Sequence, residues 1–414
     1  MSFTIHNGMI KRKGRKGNRK GVDSLRPPAS SSLASFAFKS PVDGAERRIL
    51  VYRIGQLGDT IIALPAMWAV REHFPQAHLA LLSNAYKGVP VVAARSVLPA
   101  TGLFDQWLTY PTGEGRTSAR AFPRLLLDLR RERFDTLVYL APRQRTTRQV
   151  RRDLLFFRAA GIRTFIGHEG FVPIPPRVEG HPLPTVEHEA DHLLNRLEQS
   201  GIPVPPPGQR MMDLKLTPDE DEEARCWLAA RCGEAFQSRR LVGLCPGSKW
   251  LSKVWPEERF AQLGVQLLKE FGLFPVIFGG ALDRERGERL IAHWGSGANA
   301  AGSLDVRPAA AALSYCQLYV GNDTGTMHMA AAVGTPCVAT FSAQDWPGRW
   351  YPYGSGHIVL RQAVPSEGCL LSVCDRDLQC LKLIEVEDVL NACRAVLERR
   401  KDGRQGEELA AERI

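Results

Sequence analysis

Long apolar runs are missing from this 414-residue sequence: nothing approaches the roughly eighteen consecutive hydrophobic residues of a membrane span. No secretory leader is expected either, because the basic N-terminus is not followed by an apolar core or a small-residue cleavage site. The nine cysteines are odd in number and scattered through apolar and helical stretches, which excludes a disulfide framework. A reducing, cytoplasmic setting is therefore expected. Short-period internal repeats are absent, and KRKGRKGNRK at 11–20 is the sole low-complexity segment.

What is present is globular. Hydrophobic residues make up 44% of the chain and charged residues 24%, and the length suits two domains. The net charge of +10 is uneven: residues 1–48 hold eleven Lys/Arg against three acids, so eight of the ten charges sit there. The folded part is expected to be near neutral, with the basic character in a disordered tail over 1–46. Such a tail suits an anionic membrane by charge alone. No aromatic platform accompanies it, so specific nucleic-acid binding is not expected; a merely solubilising tail is the plain alternative.

Order begins with the apolar run Arg48–Ile54, a buried strand. A helix over Ile61–Phe74, a strand over His78–Asn84, a helix over Ala121–Arg133, a strand over Thr136–Ala141 and a helix over Thr146–Ala160 follow. Gly201-Ile-Pro-Val-Pro-Pro-Pro-Gly208 reads as a stiff linker. Alternation then restarts with strands at 241–245, 274–278, 317–320 and 336–341 and helices at 218–230, 256–271, 283–294 and 326–333. Strand–helix alternation of this kind predicts α/β architecture with two doubly wound parallel sheets and a cleft between them. The expected divisions are a tail (1–46), an N-terminal domain (47–205), a C-terminal domain (206–400) and a polar C-terminal tail (401–414).

Three segments carry chemistry. In Gly321-Asn322-Asp323-Thr324-Gly325-Thr326-Met327-His328, a strand ends, a polar turn follows and an Ala-rich helix begins. The free N–H groups of that first turn suit a diphosphate, although a plainly capped helix has the same pattern. Asp323 or Thr324 is the expected cap. In Cys245-Pro246-Gly247-Ser248-Lys249-Trp250-Leu251-Ser252-Lys253-Val254-Trp255-Pro256-Glu257, lysines and serines precede a Pro-started helix, without the spacing of a P-loop. In Arg53-Ile54-Gly55-Gln56-Leu57-Gly58-Asp59, two glycines follow the first strand. There Asp59 is either a helix cap or a carboxylate facing the cleft that accepts a proton.

Taken in order, these segments resemble the ADP-heptose:lipopolysaccharide heptosyltransferase family, glycosyltransferase family nine. The opening G-x-x-G-D-x-x-x-x-x-P (Gly55, Gly58, Asp59, Pro65) is similar to the family's first motif. The run with Pro246, Gly247, Lys253, Trp255, Pro256 and Glu257 is similar to the second. The D-T-G-x-x-H-x-A-A run (Asp323, Thr324, Gly325, His328, Ala330, Ala331) is similar to the third, and Glu187-His188-Glu189-Ala190-Asp191 is a weaker echo.

The resemblance implies a GT-B fold: two Rossmann-like domains, acceptor on the N-terminal side and nucleotide-sugar on the C-terminal side. It implies inversion at the anomeric carbon, with Asp59 as general base, Ser248 and Lys253 on the diphosphate, and Asp323, Thr324, Gly325 and Thr326 as the phosphate turn. For His328, phosphate contact and packing beneath the loop both stand. Gly279, Gly280, Asp283 and Glu285 are candidates for the nucleoside. Gly55, Gln56, Gly58, Arg143 and Arg145 are candidates for the acceptor, with the loops 110–120 and 141–151. The Arg cluster at 143, 145, 148, 151 and 152 either meets acceptor phosphates or forms an exposed helix face.

No metal and no cofactor are expected. Asp219-Glu220-Asp221 reads as helix N-terminal charge, and Asp375-Arg376-Asp377 lies far in sequence from the phosphate turn. Cys369, Cys374 and Cys380 supply three thiols without an obvious fourth ligand and read as a reduced, partly buried loop, with a structural zinc as the weaker alternative. The expected function is transfer of a sugar, heptose from ADP-heptose foremost, onto a lipid-linked core glycan at the inner face of the cytoplasmic membrane. A relative using another nucleotide-sugar, or an inactive GT-B-like binding protein, competes with it; Asp59, Lys253 and the Asp323 turn argue against the inactive reading.

Overall fold

The computed structural model describes residues 47–86, 92–112, 116–238 and 240–411. The basic tail at 1–46, and 113–115 of one expected acceptor loop, lie outside the described residues. Strands β1 (Arg48–Arg53), β2 (His78–Tyr86), β3 (Gln106–Thr112), β4 (Thr136–Tyr139) and β5 (Thr164–Ile166) form a parallel sheet in the order 3-2-1-4-5. Its helices are α1 (Leu57–Ile62), α2 (Leu64–His73), α3 (Arg116–Glu132), α4 (Thr147–Ala159) and α5 (Glu189–Gln199).

A second parallel sheet holds β6 (Leu241–Cys245), β7 (Phe274–Ile277), β8 (Ala298–Asn299), β9 (Leu318–Asn322), β10 (Cys337–Phe341) and β11 (Ile358–Arg361), in the order 11-10-9-6-7-8. Around it run α6 (Pro218–Cys232), α7 (Glu234–Gln237), α8 (Glu257–Phe271), α9 (Arg284–Trp294), α10 (Val306–Ser314), α11 (Gly325–Ala332), α12 (Gln379–Lys382) and α13 (Val386–Ala411). In both sheets the central strands are buried on both faces, which is why β1, β6 and β9 read as continuous apolar runs rather than alternating ones.

Departures from the sequence reading have local causes. The single helix expected over 61–74 is two helices meeting at Ala63, because Pro65 in the first turn of α2 has no N–H to continue the ladder of α1. Strand β3 falls where a loop is expected, and the expected C-terminal tail continues α13 as far as Ala411.

The order of the strands fixes the cleft. In each sheet the chain reverses its direction of travel at the first strand, β1 or β6, and ligands of such sheets bind beyond the carboxyl ends near that point. Helix α1 starts just past β1, and α11 just past β9, the neighbour of β6.

Candidate active site

The two motif helices meet head on. A Cβ placed on Gly58 would lie 2.8 Å from the His328 ring and 3.6 Å from the Gly325 Cα, and one on Gly325 would lie 2.7 Å from Leu57. Glycine at both positions is therefore the condition for the N-termini of α1 and α11 to approach across the domains. Gly55 has the same character within one motif: its φ of 150° and the overlap a Cβ would make with Asp59 admit no side chain.

Asp59 is held from several sides. Its Oδ2 accepts the Gln56 N–H at 2.9 Å as part of a capping box, so the cap reading is fulfilled. Its Oδ1 lies 3.9 Å from the buried Arg53 guanidinium, and the side chain keeps 28% exposure. Arg53 in turn donates to the Leu140 and Asp59 carbonyls, and Asn84 Oδ1 accepts the Gly55 N–H at 2.8 Å. Capping α1 thus leaves the Asp59 carboxylate partly open to solvent.

Across from it, Lys253 Nζ lies 2.6 Å from Asp323 Oδ2 and 5.4 Å from the centre of the Trp250 ring. Burial pushes the Asp323 carboxyl up, Lys253 opposes that, and the negative charges of Asp345 and Asp59 add to it. Asp323 therefore does not cap α11, and neither does the Thr324 side chain: Thr324 occupies the N-cap by backbone alone, leaving the first-turn N–H groups without a side-chain cap. Thr324, Gly325 and Thr326 are half-buried, as is Ser248 in the facing loop.

Asn322, absent from the sequence candidates, organises the pairing. Fully buried, it accepts the Trp255 N–H at 3.0 Å and donates to the Gly247 carbonyl at 3.2 Å, tying the lysine loop to the end of β9. Its only sequence signal is a polar residue closing an apolar strand.

The nucleoside candidates separate. Asp283 packs under the glycines of both loops, since a Cβ on Gly247 or Gly279 would overlap its carboxylate, and it caps Gly280 N–H at 3.0 Å. Glu285 is exposed on α9. Arg143 and Arg145 are already engaged, with Glu187 at 2.9 Å and Asp153 at 2.7 Å. Both line a cleft of about 700 Å³ that also includes Thr146, Phe171, Trp346 and Leu370, and so contributions from both domains. Arg148, Arg151 and Arg152 point to the exposed face of α4.

The Asp-x-Asp segments take structural partners, Asp221 accepting from Tyr315 and Asp377 pairing with Lys382. Among the described residues no group of three or more His, Cys, Asp and Glu has the arrangement of a metal site.

His328 is buried against the Gly58 turn of α1, and burial pulls its imidazole down to about 3. An unfolded chain carries it near 6.5, so between about 6.5 and about 3 the unfolded state takes a proton that the folded state refuses. Its contribution is complete above pH 6.5 and is lost as the pH falls, at about 1.4 kcal/mol per unit. His188, His192 and His357 are also pulled down, chiefly by burial, and act in the same direction. Urea unfolding should therefore show a steep loss of stability from pH 7 to pH 5, and His328→Asn should flatten it; an unchanged slope in the variant would contradict a neutral, buried His328.

Residues 202–377 match the family model described as glycosyltransferase family 9 (heptosyltransferase). The matched stretch, which holds β6 to β11, resembles glycosyltransferase family 9. Lipopolysaccharide heptosyltransferase 2 of Salmonella typhimurium is 38% identical over 109 residues, 25% of this chain and 31% of that protein. Lipopolysaccharide heptosyltransferase 1 of Pseudomonas aeruginosa is 30% identical over 128 residues, 31% of this chain and 36% of that protein. The chain thus spans about a third of the length of the curated relatives it matches.

Solved structures extend the likeness of fold to both domains. The family 9 glycosyl transferase of Veillonella parvula superposes with a TM-score of 0.62 at 21% identity, covering 85% of this chain and 97% of that one. ADP-heptose lps heptosyltransferase II of Escherichia coli superposes at 0.61 and 22% identity, covering 86% and 99%. The two-domain fold is the GT-B arrangement.

Proposed function

We propose that the protein is an inverting glycosyltransferase that moves a heptose from ADP-heptose onto a hydroxyl of a lipopolysaccharide-core glycan. One observation carries the reading: the close approach of Gly58 and Gly325 sets a carboxylate, Asp59, opposite a helix N-terminus and a buried Lys–Asp pair. A sugar hydroxyl is a poor nucleophile near neutral pH, and Asp59 accepts its proton as the new bond forms. The anomeric carbon gains oxocarbenium character while its bond to the diphosphate breaks. The departing nucleoside diphosphate gains negative charge, which the first-turn N–H groups of α11 and the Lys253 ammonium stabilise. Asp323 holds that ammonium in place until the donor arrives. The names of the curated relatives support heptose and the lipopolysaccharide core. A lipid-linked acceptor places the enzyme at the inner face of the membrane, where the basic tail adds charge attraction.

A thermal-shift panel of ADP-heptose and UDP-, GDP- and CMP-sugars tests the donor. Ligand at about a hundred times its Kd stabilises the folded state by about 2.7 kcal/mol, so the ADP-sugar should raise the melting point clearly above the others. A panel without any shift would sink the donor site, and a larger shift with another nucleotide would reassign the donor.

A further inference from the structure

The near-neutral folded part hides a basic pole. Residues 116–163 contain thirteen arginines, no lysine and four carboxylates, a net +9 within a folded part whose total beyond residue 48 is +2. The expectation that basic character belongs to the tail is corrected here, because averaging over the domains conceals where the charge lies.

Nine of the thirteen arginines lie on α3 and α4, which pack side by side on one face of the N-terminal sheet over the core of Leu129, Val150 and Phe157. Both helices repeat one outward pattern. On α3, Leu127 is 51% exposed with Arg124, Arg130 and Arg131 around it. On α4, Leu155 is 65% exposed with Arg148, Arg151 and Arg158 around it. At the seam Phe122 meets Phe156 edge-on at 6.1 Å and stays 46% exposed. Local carboxylates offset little of this charge: Asp128 serves both Arg124 and Arg131, and buried Asp153 serves Arg145 and Arg152.

We propose that the α3–α4 face docks on the surface of an anionic phospholipid bilayer. The chemistry of the face selects that partner. Guanidinium forks bond phosphate oxygens two at a time and are weakly hydrated, which suits a headgroup layer. Leucine and phenylalanine side chains standing out between them gain by entering the acyl boundary, as on amphipathic helices that lie in a membrane plane. A duplex nucleic acid would use the arginines but leave the three apolar side chains in water. The face is continuous with the cleft, because Thr146, Thr147 and Val150 at the start of α4 form part of its wall. Docking there brings the mouth of the cleft to the headgroups, independently of which nucleotide-sugar binds.

Co-sedimentation of the full chain with phosphatidylcholine vesicles, with and without about a third phosphatidylglycerol, reads the docking. Neutralising Arg124, Arg131, Arg148 and Arg151 to Gln should lower partition into anionic vesicles at least about a hundredfold, since each surface charge is worth roughly fivefold. The same four changed to Lys should retain most of the binding, and Leu155→Ser should weaken it. Unchanged melting and an unchanged donor-induced shift show that the fold and donor site are intact, so failure here is separable from failure of the proposed activity. A parallel chain with the Lys and Arg of 11–20 changed to Gln isolates the tail. The proposal is overturned if the four-Gln chain binds vesicles as the wild type does, if the tail change alone abolishes binding, or if the wild type binds a DNA duplex and not vesicles.

Discussion

Asp59→Asn is expected to lower the rate of sugar transfer by about 10²–10⁴-fold while leaving donor binding and stability near those of the wild type. The argument lies in the two jobs of this carboxylate. One oxygen accepts the Gln56 N–H and starts α1; an Asn carbonyl oxygen makes the same bond, so the helix keeps its cap. The other job, taking a proton from an acceptor hydroxyl, requires a basic oxygen, and an amide has none. Arg53 holds the Asp59 carbonyl and Asn84 holds the Gly55 N–H, so the side chain stays in place. Kinetics should show a loss in kcat with the donor-induced thermal shift intact. A variant turning over at the wild-type rate would remove Asp59 from the chemistry and leave it as a cap.

The sequence revealed the parts of this site but not their junction. Strand β6, helix α9 to within one residue and the turn after β9 follow from apolar runs, a Gly stop and Pro or polar starts, which act over a few residues. The approach of Gly58 to Gly325 joins positions 267 residues apart, and no local signal says that two glycines in separate motifs serve one contact. His328 illustrates the same limit, since its neutrality comes from the α1 turn that buries it. Asn322 reads as a strand end until the lysine loop is seen hanging from it. Charge was misread for a related reason: a net value is a sum over sequence, whereas the basic pole arises because two consecutive helices face the same way.

The Glu187–Asp191 segment, a weak echo in sequence, supplies the largest expected stability effect. Glu189 and Arg349 are fully buried and come from opposite domains, with Nε 3.2 Å from Oε2. The Arg349 carbonyl also accepts the Glu189 N–H at 3.1 Å, and Glu189 Oε1 accepts the Arg143 N–H at 2.8 Å. Burial pushes the Glu189 carboxyl up, yet Arg349, the Arg143 N–H, Arg53 and His192 together hold it below the usual carboxylate range. Removing one partner leaves the other charge buried and uncompensated, which costs about 3–5 kcal/mol. Arg349→Leu should therefore lower the urea midpoint far more than any surface substitution. Changing both partners, Arg349→Met with Glu189→Leu, should recover much of the loss, because an apolar pair has no ion to desolvate. The loss in Arg349→Leu should also shrink at acid pH, relative to wild type at the same pH, as the orphaned Glu189 takes a proton and loses its charge. A single variant as stable as the wild type would mean that the domains are held by contacts elsewhere, and that this pair is a passenger in the interface.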